Sequence, residues 1–328
     1  MGTTRWSDDH YRDRARLRAA TGKDAFEHDH AIRTGEATRA VHPKMDPRGV
    51  LVRESRDCNS HPRSHAVSVL FDVTGSMQNV PRILQANLPK LMGLLIRKGY
   101  LEHPQILVGG IGDATCDTAP LQVGQFESGI EIEEDLGKLF LEGGGGGQTT
   151  ESYELAMYFM ARHTALDCLE KRGQRGYLFI IGDEMPYPKV KRKEVAARIG
   201  GGLQADVPIE AMLEELQTKY EVYFVLPKLT QHWNNPAVYG RWVELLGQHV
   251  LRLEEPAAIC ELIASTIGLA EGKADWERLA EDLHEAGSSE EVCQQVRKTL
   301  VNLGAEHGGK GVRVRVPDSG EPAGVVQL

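Results

Sequence analysis

The chain has 328 residues, of which 41% are hydrophobic and 26% are charged, and its formal net charge is −9. This acidic balance disfavours non-specific binding to nucleic acid. No apolar run is long enough to cross a bilayer, the N-terminus lacks the apolar core of a signal peptide, and the five scattered cysteines form no CxxC pair, so we expect a cytoplasmic protein without a disulfide framework.

The first 63 residues are predicted to form an arm on a larger domain. We expect a helix at 7–21, because Ser7 can cap its first turn, acidic residues follow, and Gly22 stands after its end. A second short helix is expected at 24–34. From residue 38 to 64 the prolines and polar residues predict an irregular segment that wraps over the main domain.

Residues 64–270 alternate between apolar strands and amphipathic helices, which is typical of α/β folds. The strand at 121–127 follows the preceding strand so closely that it should be an antiparallel edge strand, and Pro89 should kink or break its helix. We predict a doubly wound, mostly parallel, six-stranded sheet of Rossmann-like type. The expected strands are 66–71, 105–112, 121–127, 176–182, 221–226 and 249–253, and the expected helices are 80–98, 130–140, 152–165, 190–199, 209–219, 238–246 and 261–269.

The remaining residues are predicted to form an extension of this domain. Residues 271–303 have the pattern of two polar amphipathic helices, at 275–285 and at 288–301, with Ser288 as the cap of the second. Residues 304–328 are rich in glycine and proline. We expect them to form a flexible tail, or a strand that pairs only with a partner.

Oxygen-bearing side chains collect where the predicted strands end. Asp72, Thr74 and Ser76 follow the first buried strand, and Asp183 follows the strand at 176–182. The carboxyl ends of parallel strands are where open α/β sheets place their ligands. Carboxylate and hydroxyl oxygens suit Mg²⁺ or Mn²⁺ better than Zn²⁺. We therefore expect a metal site at this edge of the sheet.

Three motifs in this region make the prediction more specific: DVTGSM at 72–77, GGGGQTTES at 144–152 and IIGDE at 180–184. Together they resemble the three ligand loops of the von Willebrand factor type A (vWA) family, in its intracellular bacterial form. The resemblance covers about residues 64–270. It implies a metal-ion-dependent adhesion site (MIDAS) in which Asp72, Thr74, Ser76 and Asp183 hold the cation.

The middle loop departs from the family pattern. Counting back from Ala156-Met157, the position that is threonine in the family falls on Glu151, and Thr149 and Thr150 lie one or two residues earlier. We expect Thr150 or Glu151 to be the metal ligand of this loop, and Thr149 stays open as a further alternative. Thr74 also stands where serine is usual, which keeps the hydroxyl.

The resemblance implies a non-enzymatic adaptor that binds protein partners through Mg²⁺ or Mn²⁺. Neutral hydroxyl ligands leave such a cation under-neutralised, so it takes an Asp or Glu of the partner as its last ligand. Intracellular members of the family often work beside AAA ATPases, which makes a MoxR-type ATPase a candidate partner. We expect neither nucleic acid nor a membrane as a partner.

Two other functions compete with this interpretation. A metal-dependent hydrolase or phosphatase could use the same oxygen cluster, but no histidine or lysine in the sequence is tied to it as a base. Alternatively, the domain is a degenerate scaffold that binds no metal. In both alternatives the fold prediction is unchanged.

Overall fold

The computed structural model describes residues 2–144, 147 and 149–304, with the backbone alone for 302–304. At its centre is a sheet of six strands, which in chain order are β1 Ser64–Asp72, β2 His103–Ile111, β3 Leu121–Val123, β4 Gly176–Ile181, β5 Tyr220–Pro227 and β6 Val250–Leu253. Across the sheet the order is β6-β5-β4-β1-β2-β3. Neighbours are parallel except for β3, which is antiparallel to β2 at the edge. The predicted sheet is confirmed.

Helices cover both faces of this sheet. Those of the described residues are α1 Asp8–Thr21, α2 Glu27–Arg33, α3 Val80–Met92, α4 Glu131–Gly137, α5 Tyr153–Arg162, α6 Asp167–Arg172, α7 Arg192–Arg198, α8 Ile209–Gln217, α9 Pro236–Leu246, α10 Ile259–Ala270, α11 Trp276–Glu285 and α12 Glu290–Gly304. Most match the predicted helices to within a few residues. Helix α6 was not predicted, because six residues are too few to show a helical period.

Alternation along β1 explains why the sheet has two covered faces. Val67, Val69 and Phe71 belong to one apolar layer, which includes residues of α3 and α10. Ala66 and Leu70 belong to the other, which includes residues of α5 and α8. Every residue of β1 is buried, as expected for a central strand of a parallel sheet.

The N-terminal arm docks through α1. Ser7 caps this helix by accepting a hydrogen bond from the His10 backbone N–H at 3.3 Å, and Gly22 ends it with a φ of 66°, as predicted. Arg14 Nε lies 2.8 Å from Oε2 of the buried Glu133, and Arg18 also pairs with this carboxylate. These ion pairs attach the arm to α4.

Pro89 does not break α3, which was one of the two outcomes that the sequence suggested. The helix continues to Met92 and then changes to a π-helical turn at Gly93–Arg97. Proline has no N–H to donate to the carbonyl of Gln85 four residues earlier. Instead, the Tyr11 hydroxyl of α1 donates to that carbonyl at 2.8 Å, and the Gln85 side-chain amide donates to the same hydroxyl at 3.2 Å.

Tyr11→Phe should therefore destabilise the protein by about 1–3 kcal/mol, because it leaves a buried carbonyl and a buried amide without partners. Urea unfolding would measure this loss. The matched control is Tyr239→Phe, whose side chain is partly exposed on α9. In a Pro89→Ala background, where residue 89 regains a donor, the same Tyr11 substitution should cost less. An equal cost in both backgrounds would show that the hydroxyl does not serve the orphaned carbonyl.

The C-terminal extension corrects one detail of the prediction. Ser289, not Ser288, accepts a hydrogen bond from the Val292 backbone N–H at 3.4 Å, which is the capping contact of α12. The Ser288 hydroxyl instead donates to Glu261 Oε1 at 2.9 Å. The predicted tail, including its alternating Val-Arg segment at 312–316, lies outside the described residues. No described helix has both the length and the apolar character needed to span a bilayer.

Candidate metal centre

The C-terminal end of β1 brings the first three predicted residues together. Asp72 is the last residue of the strand, and its Oδ1 accepts hydrogen bonds from the Thr74 backbone N–H at 2.7 Å and the Thr74 hydroxyl at 2.6 Å. The Thr74 and Ser76 hydroxyl oxygens are 3.1 Å apart. A 3₁₀ turn at Gly75–Met77 follows directly and orients these side chains.

Strand β4 delivers the fourth predicted residue because it is the neighbour of β1. Asp183 lies two residues beyond the end of β4, and its Oδ1 accepts a hydrogen bond from the Ser76 hydroxyl at 2.7 Å. Asp72 and Asp183 are fully buried, and Thr74 and Ser76 are only 5% and 7% exposed. The structure thus joins all four side chains in one buried network, while their role as metal ligands stays a prediction.

The middle loop is placed by a short parallel ladder. The two-residue strand Thr150–Glu151 pairs with Met185–Pro186, just beyond Asp183. The Met185 backbone N–H also donates to the Thr149 carbonyl at 2.9 Å. Neighbouring residues of a strand point to opposite sides, so Thr150 and Glu151 cannot both face the site.

Glu151 is the residue of this loop that joins the cluster. Its carboxyl group is buried beside that of Glu184, and the charge of Asp72 acts on it. The Thr150 hydroxyl instead contacts the Tyr187 hydroxyl. This placement favours Glu151 over Thr150 as the ligand from the middle loop, a choice that the sequence left open.

The glycine run contacts the first loop through its backbone. The Gly75 N–H donates to the Gly144 carbonyl at 2.8 Å, and a Cβ on Gly75 would lie only 2.9 Å from the Gly143 carbonyl oxygen. Glycine is therefore required for this close approach. Gln148, the residue that distinguishes the run from a P-loop, lies outside the described residues.

Tyr153 holds the second oxygen of the Asp72 carboxylate. Its hydroxyl donates to Asp72 Oδ2 at 2.9 Å, and its fully buried ring packs edge-on against Trp242 with centroids 5.4 Å apart. A Cβ on Gly182 would lie 2.0 Å from the Tyr153 hydroxyl oxygen, so this position is open only to glycine. Asp72 thereby has both carboxylate oxygens fixed by hydrogen bonds.

Two residues of the site, Glu184 and His232, were missed by sequence reasoning. Glu184 is 5% exposed, and its Oε1 lies 3.5 Å from His232 Nε2. The His232 backbone N–H donates to Asp183 Oδ2 at 2.9 Å. The sequence did not reveal that a histidine lies beside the cluster, while the expectation that none acts there as a base stays a prediction. His232 could have been found from its place in the chain, because it follows the C-terminal end of β5, the strand next to β4.

Asp113 and Asp117 border the cluster beyond the end of β2. Asp113 Oδ2 accepts a hydrogen bond from the Tyr187 hydroxyl at 2.9 Å, and Asp117 Oδ2 accepts one from the Asp113 backbone N–H at 2.7 Å. The charge of Asp113 acts on Glu184 and that of Asp117 acts on Glu151. Neither has a hydrogen bond to the four residues of the β1 and β4 loops among the described contacts.

Burial of so many carboxyl groups raises their pKa values. Burial, together with the charge of Asp183, raises the pKa of Asp72 to about 7 despite the opposing hydrogen bonds from Thr74. Burial and the charge of Asp72 raise the pKa of Glu184 to about 8 and that of Glu151 to about 12. In the described part of the chain no salt bridge joins any of these three groups to a lysine or arginine. A bound divalent cation would favour their ionised forms.

The donor set fits a hard divalent cation. Glu151 Oε2 and Glu184 Oε2 are buried and have no hydrogen-bond partner among the described residues. No set of three or more His, Cys, Asp or Glu side chains in those residues is arranged to hold a metal by itself. The hydroxyls of Thr74 and Ser76 would therefore have to complete the ligand set. Mixed carboxylate and hydroxyl oxygens are ligands that suit Mg²⁺ and Mn²⁺.

No protein-family model and no curated protein matches the chain. Among solved structures, it is similar to the pilus adhesin SpaC from Lactobacillus rhamnosus GG, with 10% identity and a TM-score of 0.43, over 66% of this chain and 31% of that one. It is also similar to a von Willebrand factor type A structure from Catenulispora acidiphila, with 11% identity and a TM-score of 0.36, over 64% and 43% of the two chains.

A third similar structure is proximal thread matrix protein 1 from the mussel byssus with a zinc-occupied MIDAS motif, with 11% identity and a TM-score of 0.40, over 66% and 49% of the two chains. The chain spans less than half of the length of each of these three structures. Its own strand order and the convergence of the β1, middle and β4 loops agree with the fold that the resemblance to vWA domains implies.

Proposed function

We propose that the protein is a divalent-cation-dependent protein-binding module of vWA type. Asp72, Thr74, Ser76, Glu151 and Asp183 would hold Mg²⁺ or Mn²⁺, and a carboxylate of a partner would complete its coordination. The observation that carries this proposal is the buried hydrogen-bonded series from Asp72 to Asp183, which contains two carboxylates and two hydroxyls but no basic side chain.

The balance of hydroxyl and carboxylate ligands would determine how tightly the site binds the cation and how strongly the cation attracts a partner's carboxylate. When bound, the cation supplies a positive charge that attracts an external carboxylate. Thr74 and Ser76 contribute oxygens without adding negative charge, so they preserve that attraction. Glu151 adds a charge in the middle loop, which favours the cation but weakens its pull on an acidic ligand. The site is thus suited to firm metal binding and moderate partner affinity.

Partner and location are part of the same proposal. A partner that offers Asp or Glu, and a MoxR-type AAA ATPase in particular, would form a cytoplasmic complex, and the five free thiols support a reducing compartment. A pull-down with and without EDTA tests this directly, compared with an Asp72→Ala/Ser76→Ala double variant. Partners captured equally in all three samples would contradict a metal-dependent module.

A metal-dependent hydrolase is the second candidate, and the His232–Glu184 pair favours it. A histidine oriented by a carboxylate beside a metal can act as a general base. His232 is mostly buried, with its side chain 15% exposed. A phosphatase screen with Mg²⁺ or Mn²⁺ separates the two functions. Turnover that is lost in both Asp72→Ala and His232→Asn would show an enzyme and contradict the adaptor.

Glu151→Gln should weaken Mg²⁺ binding by about tenfold or more, because it removes a charged oxygen ligand while its amide can still contact Glu184. Thr150→Val should change the affinity by less than about threefold, since the Thr150 hydroxyl contacts Tyr187 instead. Isothermal titration with MgCl₂ measures both. A larger loss in the Thr150 variant would assign the ligand to threonine and contradict the placement of Glu151.

A further inference from the structure

A run of basic residues follows the site in the chain. Four of the five residues at 189–193 are cationic, in the order Lys-Val-Lys-Arg-Lys, although the whole chain has a net charge of −9. We call Lys189, Lys191, Arg192 and Lys193 the basic rim. The run begins six residues after Asp183 and ends in the first turn of α7.

Side-chain contacts place the basic rim beside Asp113, which borders the proposed metal centre. Lys191 Nζ lies 4.6 Å from the centroid of the Tyr187 ring, and the Tyr187 hydroxyl donates to Asp113 Oδ2 at 2.9 Å. At the other end of α7, Arg198 donates to the Ala114 carbonyl at 3.2 Å. The rim therefore lies along the loop that follows β2, which borders the proposed metal centre.

The cations of the rim are accessible. Lys189, Arg192 and Lys193 are exposed, and Arg192 and Lys193 form no salt bridge within the described residues. Lys189 pairs with Asp206 at 2.8 Å, but its side chain is 51% exposed, and such surface pairs contribute little and exchange readily. Lys191 pairs with Glu194 at 2.8 Å. The charges of Arg192 and Lys193 are therefore available to an external anion, and that of Lys189 becomes available when its pair with Asp206 opens.

We infer that the basic rim recognises further carboxylates of the partner, so that the partner presents a run of acidic residues rather than a single one. This inference rests on the proposed function. The cation can accept one carboxylate, while Asp113, Asp117 and Glu184 repel the acidic residues beside it. The basic rim offsets this repulsion on one side of the site. It thereby sets the direction in which an acidic segment binds and which of its residues reaches the metal.

A nucleic acid is the less favourable occupant of the same cations. Its phosphates would meet the carboxylate cluster and the overall negative charge of the protein without a ligand position suited to them. An acidic protein segment meets the same repulsion, but its carboxylate gains the metal ligand position in return. Dependence of binding on Mg²⁺ therefore distinguishes the two.

The test uses the full chain and a labelled hexa-aspartate peptide, with fluorescence anisotropy in Mg²⁺ and in EDTA. A peptide with one aspartate among asparagines serves as the single-acid probe, and a labelled oligonucleotide as the phosphate probe. The rim variant is Lys189→Gln/Arg192→Gln/Lys193→Gln. Its matched control is Lys171→Gln/Arg63→Gln/Lys273→Gln, which removes the same charges from exposed positions at the opposite end of the sheet.

In Mg²⁺ the rim variant should bind hexa-aspartate about tenfold more weakly than the wild type, while the control variant and the single-acid probe change by less than about twofold. Unchanged hexa-aspartate binding in the rim variant would overturn the inference, as would binding of hexa-aspartate or the oligonucleotide that persists in EDTA. If neither peptide binds in Mg²⁺, the proposed function itself fails. If only the single-acid probe depends on Mg²⁺, that function stands and the rim does not take part.

Discussion

Asp72→Asn should abolish divalent-cation binding and, in the absence of metal at about pH 8, make the fold more stable rather than less. Asp72 is fully buried, and its pKa is raised from 3.8 to about 7. Holding it ionised without a cation therefore costs on the order of 4 kcal/mol, at about 1.4 kcal/mol per pKa unit. Asparagine keeps the hydrogen bonds from Thr74 and can still pair with Tyr153, but carries no charge.

Two measurements on the Asp72→Asn variant check the loss of cation binding and the gain in stability. Titration calorimetry should show no heat of Mg²⁺ binding, and urea unfolding in EDTA should give a free energy of unfolding about 1–3 kcal/mol above that of the wild type. The control is Asp13→Asn on α1, whose side chain is 70% exposed and which should change neither quantity. A destabilised Asp72→Asn fold in EDTA would mean that the carboxylate is structural and that its charge is already compensated.

Without divalent cations, the stability of the wild-type protein should fall as the pH rises from about 4 to about 8, and Mg²⁺ should restore it. The pKa values of Asp72 and Glu184 are about 7 and about 8 in the fold, above their ordinary values of 3.8 and 4.5. At pH values between the ordinary and the raised pKa values, the folded state holds more protons than the unfolded state, so the free energy of unfolding decreases with pH. A bound cation stabilises the ionised carboxylates and removes this decrease.

The measurement is the urea midpoint across this pH range in EDTA and in saturating MgCl₂. The gap between the two series should widen with increasing pH, and it should close in Asp72→Asn, which binds no metal. A constant gap at every pH would indicate a cation bound at exposed carboxylates elsewhere, because ordinary carboxyl groups are already ionised over most of the range.

The clustering of these side chains was predictable because strand ends in a parallel sheet meet at one edge. Asp72, Ser76 and Asp183 could be named from that rule alone, since β1 and β4 are long, apolar and easily recognised. The same rule applied to β5 would have found His232, five residues past the end of that strand at Pro227. It was not applied there, because His232 belongs to no motif.

Other features depended on packing that local sequence does not show. The choice between Thr150 and Glu151 is set by the register of a two-residue ladder with Met185–Pro186, which is too short to leave a period in the sequence. The Gln85 carbonyl that Pro89 leaves without a helical donor is paired by the Tyr11 hydroxyl, 74 residues away in the chain. Such contacts follow from the assembled fold, so local pattern reasoning could not supply them.

The central claim is that a divalent cation binds where the β1, middle and β4 loops meet. Crystals grown or soaked with Mn²⁺ test it most directly, because the anomalous signal of manganese locates the ion independently of any assumption about its ligands. We predict one strong peak bounded by Asp72, Ser76, Glu151 and Asp183, absent from Asp72→Asn crystals. A protein that binds Mn²⁺ in solution but shows no peak there, or shows it at another cluster, would contradict the account.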